Sequence, residues 1–233
     1  MPSPQIPLQL TPRHAHRLED FVAGYNAPVL AALERVLHEP GSSAYLHGPA
    51  GTGKTHLLGG LCLAARDHGQ QAYYLGLGRL PPEAAGTLEG LEQWDLVCLD
   101  DLHAVAGERR WEEAVFHCFN RVREAGGRLV VGAECSIPRL GLRLPDLASR
   151  LAWGVQLQLV PLDDADKAEV LRRRCAALGI ELPAEVQRYL MRRCRRSTAE
   201  LVAALDAIQD AAFRAKRQIT VPLAREVLGR RAT

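Results

Sequence analysis

The residues with the clearest chemistry stand in the stretch GPAGTGKT, residues 48–55. It matches G-x-x-x-x-G-K-[ST] and lies between a run of strand character and one of helical character, the setting in which this pattern holds phosphates. Gly48, Gly51 and Gly53 let the backbone curl so that amide N–H groups turn inward, and the start of the following helix adds its partial positive charge. Lys54 would reach the β and γ phosphates, and Thr55 would hold Mg²⁺. Such a site also needs an acid at the end of a buried strand. LVCLDD, residues 96–101, supplies Asp100 as an outer-sphere or direct Mg²⁺ partner. Asp101 is then placed either to polarise an attacking water or to cap the next turn. The expected ligand is ATP or ADP with Mg²⁺, in which the spacing specifies a nucleotide without saying what its hydrolysis serves.

Short apolar runs of strand length must position these groups: residues 43–48, 72–77, 96–101, 129–134 and 155–160. Helical stretches separate them, as where Trp111, Val115, Phe119 and Val122 recur at three and four residues. Strands alternating with helices predict an α/β domain whose parallel sheet is covered on both faces. After residue 162 the strand signals stop. Asp163 is a candidate N-cap ahead of Ala168, Leu171, Cys175 and Leu178, and Pro183 suits a first helical turn. Ser197 with Glu200 makes a capping-box pattern, and a last short helix begins near Thr220. The expected organisation is a lead-in over residues 1–17, an α/β nucleotide-binding domain over 18–161 and a small all-α domain over 162–233.

Composition excludes several other classes. With 24% charged and 5% aromatic residues the chain is neither disordered nor fibrous in type. Six scattered cysteines without a C-x-x-C pair read as reduced thiols, mostly core fillers, rather than a metal site or disulfide framework. No run approaches the ~20 apolar residues of a membrane span, and the N-terminus lacks a signal-peptide pattern, so a cytoplasmic protein without membrane contact is expected. Net charge is +2, with 15 lysines and arginines against 10 acids from Pro161 onward. That asymmetry is well short of a nucleic-acid-binding tail.

A helical domain behind a phosphate-loop domain is the outline of an AAA+ module, and three further segments carry a more specific resemblance. LEDFVAGYNAPVLAAL, residues 18–33, resembles the segment by which DnaA-type initiators wrap the adenine, with Phe21, Val22, Gly24 and Asn26 in the matching places. LPDLASRLAWG, residues 144–154, resembles the segment that holds the arginine finger of the same group. QIPLQL, residues 5–10, resembles the hexapeptide with which the family's clamp-bound members grip the DNA polymerase III beta sliding clamp. The chain thus resembles, over essentially its whole length, the DnaA-related AAA+ family, in its branch of regulatory inactivators of DnaA.

The resemblance implies roles. Phe21 and Val22 would flank the nucleotide base. Arg150 would be an arginine finger offered to the γ-phosphate of a nucleotide held by a neighbouring subunit, a contribution of ~10³ or more in rate. The alternative is an i,i+4 pair with Asp146, worth about 0.3–0.5 kcal/mol. Gln5, Ile6, Leu8 and Leu10 would bind the clamp, with Gln9 in place of the usual proline; the alternative is that this apolar tail folds back on its own domain. Two positions depart from the family pattern. Ala199 replaces the lid arginine that touches nucleotide in cis, with Arg196 one turn earlier as a substitute or as part of a solvated basic face. Gly132 and Ala133 stand where a small polar sensor residue is common, leaving Glu134 as the nearest acid. Slow turnover of the chain's own ATP is therefore expected. DnaA continues past its lid into a DNA-reading domain, whereas this sequence ends at Thr233, so sequence-specific duplex binding has no obvious seat and DNA is expected as an indirect partner through the clamp. The implied function is a regulator that tethers to the clamp and stimulates hydrolysis of DnaA-bound ATP. A helicase-loader-like ATPase, as a homo-oligomer, and a nucleotide-bound adaptor are the alternatives.

Overall fold

The computed structural model describes residues 17–194 and 197–229. Residues 5–10, Arg196 and the last four residues, which include Thr233, lie outside this range. Backbone contacts divide the chain into two units, each described by itself. The first holds residues 17–21, Asn26–Pro49 and Lys54–Leu159; the second holds Val22–Tyr25, Ala50–Gly53 and residues 160–229.

The first unit is built on a five-stranded, wholly parallel sheet in the order β2-β3-β4-β1-β5. The strands are β1 Ser43–His47, β2 Ala72–Gly76, β3 Leu96–Asp100, β4 Arg128–Ala133 and β5 Val155–Gln158. β2, β3 and β4 are buried along their whole length, which is why they read as unbroken apolar runs rather than as alternating ones. The unit's helices are α1 Ala27–His38, α2 Lys54–Asp67, α3 Arg109–Glu124 and α4 Pro145–Trp153. Alternation along β3 sorts the two faces. Val97 and Leu99 join a core with Trp111, Val115, Phe119 and Val122 of α3, whereas Cys98 meets Cys62 of α2. The four α3 positions whose spacing predicts a buried stripe are all buried. Removing one such large side chain, Trp111 for example, costs about 3–5 kcal/mol.

In this strand order the connection after β1 runs to β2 at one edge of the sheet, whereas the connection after its neighbour β4 runs the other way to β5 at the opposite edge. The crevice at such a switch point lies outside the carboxyl ends of the central strands. Residues 48–53 and α2 follow directly from the carboxyl end of β1, and Asp100 ends β3.

The second unit is dominated by a helical bundle: α5 Asp164–Leu178, α6 Ala184–Arg193, α7 Thr198–Ala215 and α8 Val221–Gly229. Leu171, Val186, Leu190, Leu201, Leu205 and Ile208 are among its core residues. Arg174 of α5 grips Asp206 of α7 through two N–H···O bonds of 2.8 and 3.0 Å. The caps follow the sequence signals: Asp163 accepts from the Asp166 N–H at 2.8 Å, and Ser197 from the Glu200 N–H at 3.2 Å. Pro183 stands at the N-cap of α6, one residue ahead of the helical turn expected for it. The two early stretches belong to this unit because its side chains pack on them. Asp166 fills the space beside Gly24, and Ser197 the space beside Gly51.

All six cysteines are free thiols, and all but Cys135 are buried. No helix among the described residues is long and apolar enough to cross a membrane.

Candidate functional site

Residues 48–53 leave the end of β1 and turn into α2, whose first residue is Lys54. Gly51 and Gly53 carry φ of +77° and +100°, a backbone region that only glycine enters without strain, so the curl of this loop is written into its composition. Lys54 is only 5% exposed. Its Nζ donates to the carbonyls of Gly48 at 2.7 Å and Pro49 at 3.1 Å, which commits two of the three ammonium donors to the loop that a phosphate would occupy. Burial lowers the Lys54 pKa, while the negative charges of Asp100, Glu134 and Asp101 oppose that shift. His47, at the end of β1, is lowered by burial and then by the Lys54 charge.

Thr55 and Asp100 are brought together. The threonine hydroxyl donates to Asp100 Oδ2 at 2.6 Å. Asp100 is fully buried, and two more donors hold it: the Tyr74 hydroxyl at 3.0 Å on the same oxygen and the Asp101 N–H at 2.9 Å on Oδ1. Tyr74 is correspondingly harder to ionise, first through burial and then through the Asp100 charge. No motif marks Tyr74 in the sequence; its role follows only from the register that puts β2 beside β3.

Asp101 has a φ of 59° and heads a short 3₁₀ turn, Leu102–Ala104. It occupies the N-cap position, but its side chain makes no cap bond. The capping alternative therefore fails on geometry, and the carboxyl group feels the charges of Asp100, His103, Lys54 and Glu134. Burial and the Asp100 charge raise its pKa. Glu134, just beyond β4, lies 3.5 Å from His103 Nε2. Gly132 is explained by close approach: a Cβ there would come within 2.7 Å of Asp100 Oδ1 and 2.8 Å of a Leu58 methyl carbon. Any larger sensor side chain at this position would displace the carboxylate that faces Thr55. Ala199 lies exposed in the first turn of α7 and offers only a methyl group.

The base-flanking candidates divide between the units. Phe21 is buried and meets His56 of α2 edge-on, with ring centroids 5.5 Å apart. Val22 is buried in the second unit.

Arg150 lies elsewhere, in the last turn of α4. No hydrogen bond or ion pair joins it to Lys54, Thr55, Asp100 or Asp101, nor does it pair with Asp146. Instead its guanidinium carbon sits 4.0 Å from the Trp153 ring centre and 5.9 Å from that of Phe116 on α3. Arg123 also lies over Trp153, at 4.8 Å. The sequence reading missed Trp153, although its position three residues after Arg150 puts the two on one helical face. The clamp-binding candidates Gln5, Ile6, Leu8 and Leu10 fall outside the described residues, as does Arg196.

The donor set fits a nucleotide with Mg²⁺. A buried ammonium faces the loop, and a hydroxyl and a carboxylate 2.6 Å apart are the hard oxygen ligands that Mg²⁺ takes.

Comparison with known proteins agrees with this architecture. The family described as Hda, lid domain, matches residues 164–228, and the bacterial DnaA ATPase domain matches residues 83–158. Among solved structures, domain III of the Thermotoga maritima replication initiation protein DnaA superposes with a TM-score of 0.78 at 21% identity, covering 91% of this chain and 95% of that one. AMPPCP-bound DnaA from Aquifex aeolicus gives a TM-score of 0.70 at 22% identity, over 83% of this chain and 65% of that one. The Thermotoga maritima RuvB branch migration motor gives 0.62 at 18% identity, over 87% and 66%. At these identities the solved structures speak for the fold. With the two family matches falling one in each part of that fold, the chain is an Hda/DnaA-related AAA+ protein.

Proposed function

We propose that this DnaA-related replication regulator stimulates hydrolysis of the ATP bound to DnaA by presenting Arg150 to it in trans, while holding ADP or ATP of its own as a structural ligand. The observation that carries the proposal is the state of Arg150. Its guanidinium is neither paired with Asp146 nor directed to its own chain's phosphate loop, and it lies across the half-exposed face of Trp153. A flat, permanently charged fork whose donors meet no acceptor among the described residues suits the charge that spreads over a transferring phosphoryl group.

In cis, Gly48, Gly51, Gly53 and Lys54 would hold the phosphates, with Phe21 and Val22 at the base. Thr55 and Asp100 would hold Mg²⁺, whose bound charge would neutralise that of the phosphates. Asp101 would orient a water. Gly132 and Ala199 supply no sensor side chain, which supports slow turnover at this site. The intact loop and the Thr55–Asp100 contact also favour a second reading, an ATPase working on its own nucleotide as a helicase-loader-like homo-oligomer.

The Hda lid match supports DnaA as the partner. The tail, through Gln5, Ile6, Leu8 and Leu10, would dock extended in a groove of the sliding clamp, and so join regulation to ongoing replication. The test uses DnaA loaded with radiolabelled ATP and the clamp on DNA. Hydrolysis should accelerate when the full chain is added, and the Gln5→Ala, Leu8→Ala variant should lose the part of that gain that depends on the clamp. No acceleration by the wild type would remove the proposal. Rapid hydrolysis by the chain alone would favour the second reading.

A further inference from the structure

The helix that carries Arg150 has no cap of its own. Leu144 stands at the N-cap of α4 without a side-chain cap bond, and Pro145 contributes no N–H, so the entering backbone must find its acceptors elsewhere. They come from α3. Glu112 is 1% exposed, in a helix whose other buried positions are apolar or cysteine. Its Oε2 accepts from the Leu144 N–H at 2.7 Å and the Arg143 N–H at 2.9 Å. Its Oε1 accepts from the Arg143 N–H at 3.1 Å and from the Gly107 N–H at 2.7 Å. No arginine, lysine or histidine pairs with this carboxylate among the described residues; three backbone N–H groups hold it instead.

A buried carboxylate is a costly way to fill space, and an apolar residue of similar volume would commonly stabilise a core at least as well. What the carboxylate does, and an apolar side chain cannot, is fix direction. Charge-assisted bonds to two successive amides set both the axis and the rotation of α4 as it begins, and negative charge at that end suits the helix dipole. Arg150 follows six residues after Leu144, about 9 Å along the axis at 1.5 Å per residue. Phe116, one turn after Glu112 on α3, is the α3 residue whose ring lies by the Arg150 guanidinium, 5.9 Å from its carbon. One face of α3 therefore holds α4 at its start and again at Arg150.

We infer that Glu112 is a positioning residue for Arg150, setting where the guanidinium is presented to the partner's nucleotide. This rests on the reading of Arg150 as a trans-acting finger. The test is single-turnover hydrolysis of DnaA-bound ATP with the full chain and loaded clamp, comparing wild type, Glu112→Gln, Arg150→Ala and the double variant. Glutamine keeps the shape but sets an N–H donor against a backbone N–H. The saturated stimulated rate should fall by about 10- to 100-fold in Glu112→Gln, since small displacements of a catalytic group cost that much. The half-saturating concentration and the chain's own ADP affinity should stay unchanged. Amide exchange at Arg143 and Leu144 should quicken while that of the lid core does not. In the Arg150→Ala background, adding Glu112→Gln should change the rate less than about twofold, because residues acting through one group are not additive.

If Glu112→Gln fails to fold, judged by ADP binding, Glu112→Asp carries the same comparison by withdrawing the charge one methylene. Wild-type saturation by the folded Glu112 variant beside an inactive Arg150→Ala would overturn the positioning role alone. An equal loss in the Arg150→Ala background would do the same. Wild-type stimulation by Arg150→Ala would overturn the finger reading, and the positioning role with it.

Discussion

Lys54 and Arg150 are cations of the same unit held in opposite ways. Lys54 is buried, bonded to two carbonyls of its own loop, and ringed by the charges of Asp100, Asp101 and Glu134. Arg150 has aromatic faces for neighbours and lies against Trp153, which is 58% exposed. The first arrangement keeps a charge in reserve for something that enters the crevice of this chain. The second stacks a guanidinium on aromatic faces, and among the described residues its donors meet no acceptor. Under the proposed function the contrast separates holding a nucleotide from acting on one, and several experiments can break it or sharpen it.

The largest effect should come from Arg150→Ala, with a drop of about 10³ in stimulated hydrolysis on DnaA and no change in this chain's own nucleotide affinity. Lys54→Ala should do the reverse. Affinity for ADP, followed by isothermal titration, should fall about 10- to 100-fold as a charge-assisted contact worth about 1.5–3 kcal/mol is lost. Trp153→Ala should lower the stimulated rate by only about two- to fivefold, since an exposed cation–π contact contributes about 0.5–1 kcal/mol.

The smallest effect is one of pH. Burial sets the Lys54 pKa below its ordinary 10.5, and bound phosphate favours the charged form. Nucleotide affinity is then fully present below the depressed pKa and declines as pH rises through it, earlier than an ordinary lysine would allow. Because the charged form is disfavoured in the folded protein, Lys54 detracts from stability at neutral pH, and that penalty is relieved in the same alkaline window. Titrations between pH 7 and 10.5 read the decline. A flat profile would indicate a normal lysine and weaken the contrast.

Much of the frame was legible because one-dimensional signals coincide with what decides it. The five apolar runs became the five strands to within two residues at either end, and β2, β3 and β4, buried on both faces, leave no alternation to misread. The loop glycines, Lys54, Thr55 and Asp100 were legible for a related reason, as phosphate chemistry narrows both residue type and spacing. What escaped depends on register and rotamer. Tyr74 reaches Asp100 only because β2 pairs with β3. The Asp146 pair with Arg150 was a fair reading of i,i+4 spacing, yet the guanidinium turns toward the helix end, where Trp153 offers a flat apolar face. Gly132 looked like a lost sensor, and three dimensions give it a reason: the Asp100 carboxylate and Leu58 already fill the space. Glu112 carried no motif at all, because two of its three partners are backbone amides 31 and 32 residues away.

The central claim is that the reacting nucleotide sits on the partner and the guanidinium on this chain. The direct measurement is single-turnover hydrolysis of labelled ATP bound only to DnaA, with this chain saturating and its own site filled with unlabelled ADP. The account predicts acceleration by the wild type and none by Arg150→Ala, with both binding DnaA equally. Equal acceleration by the two would contradict it.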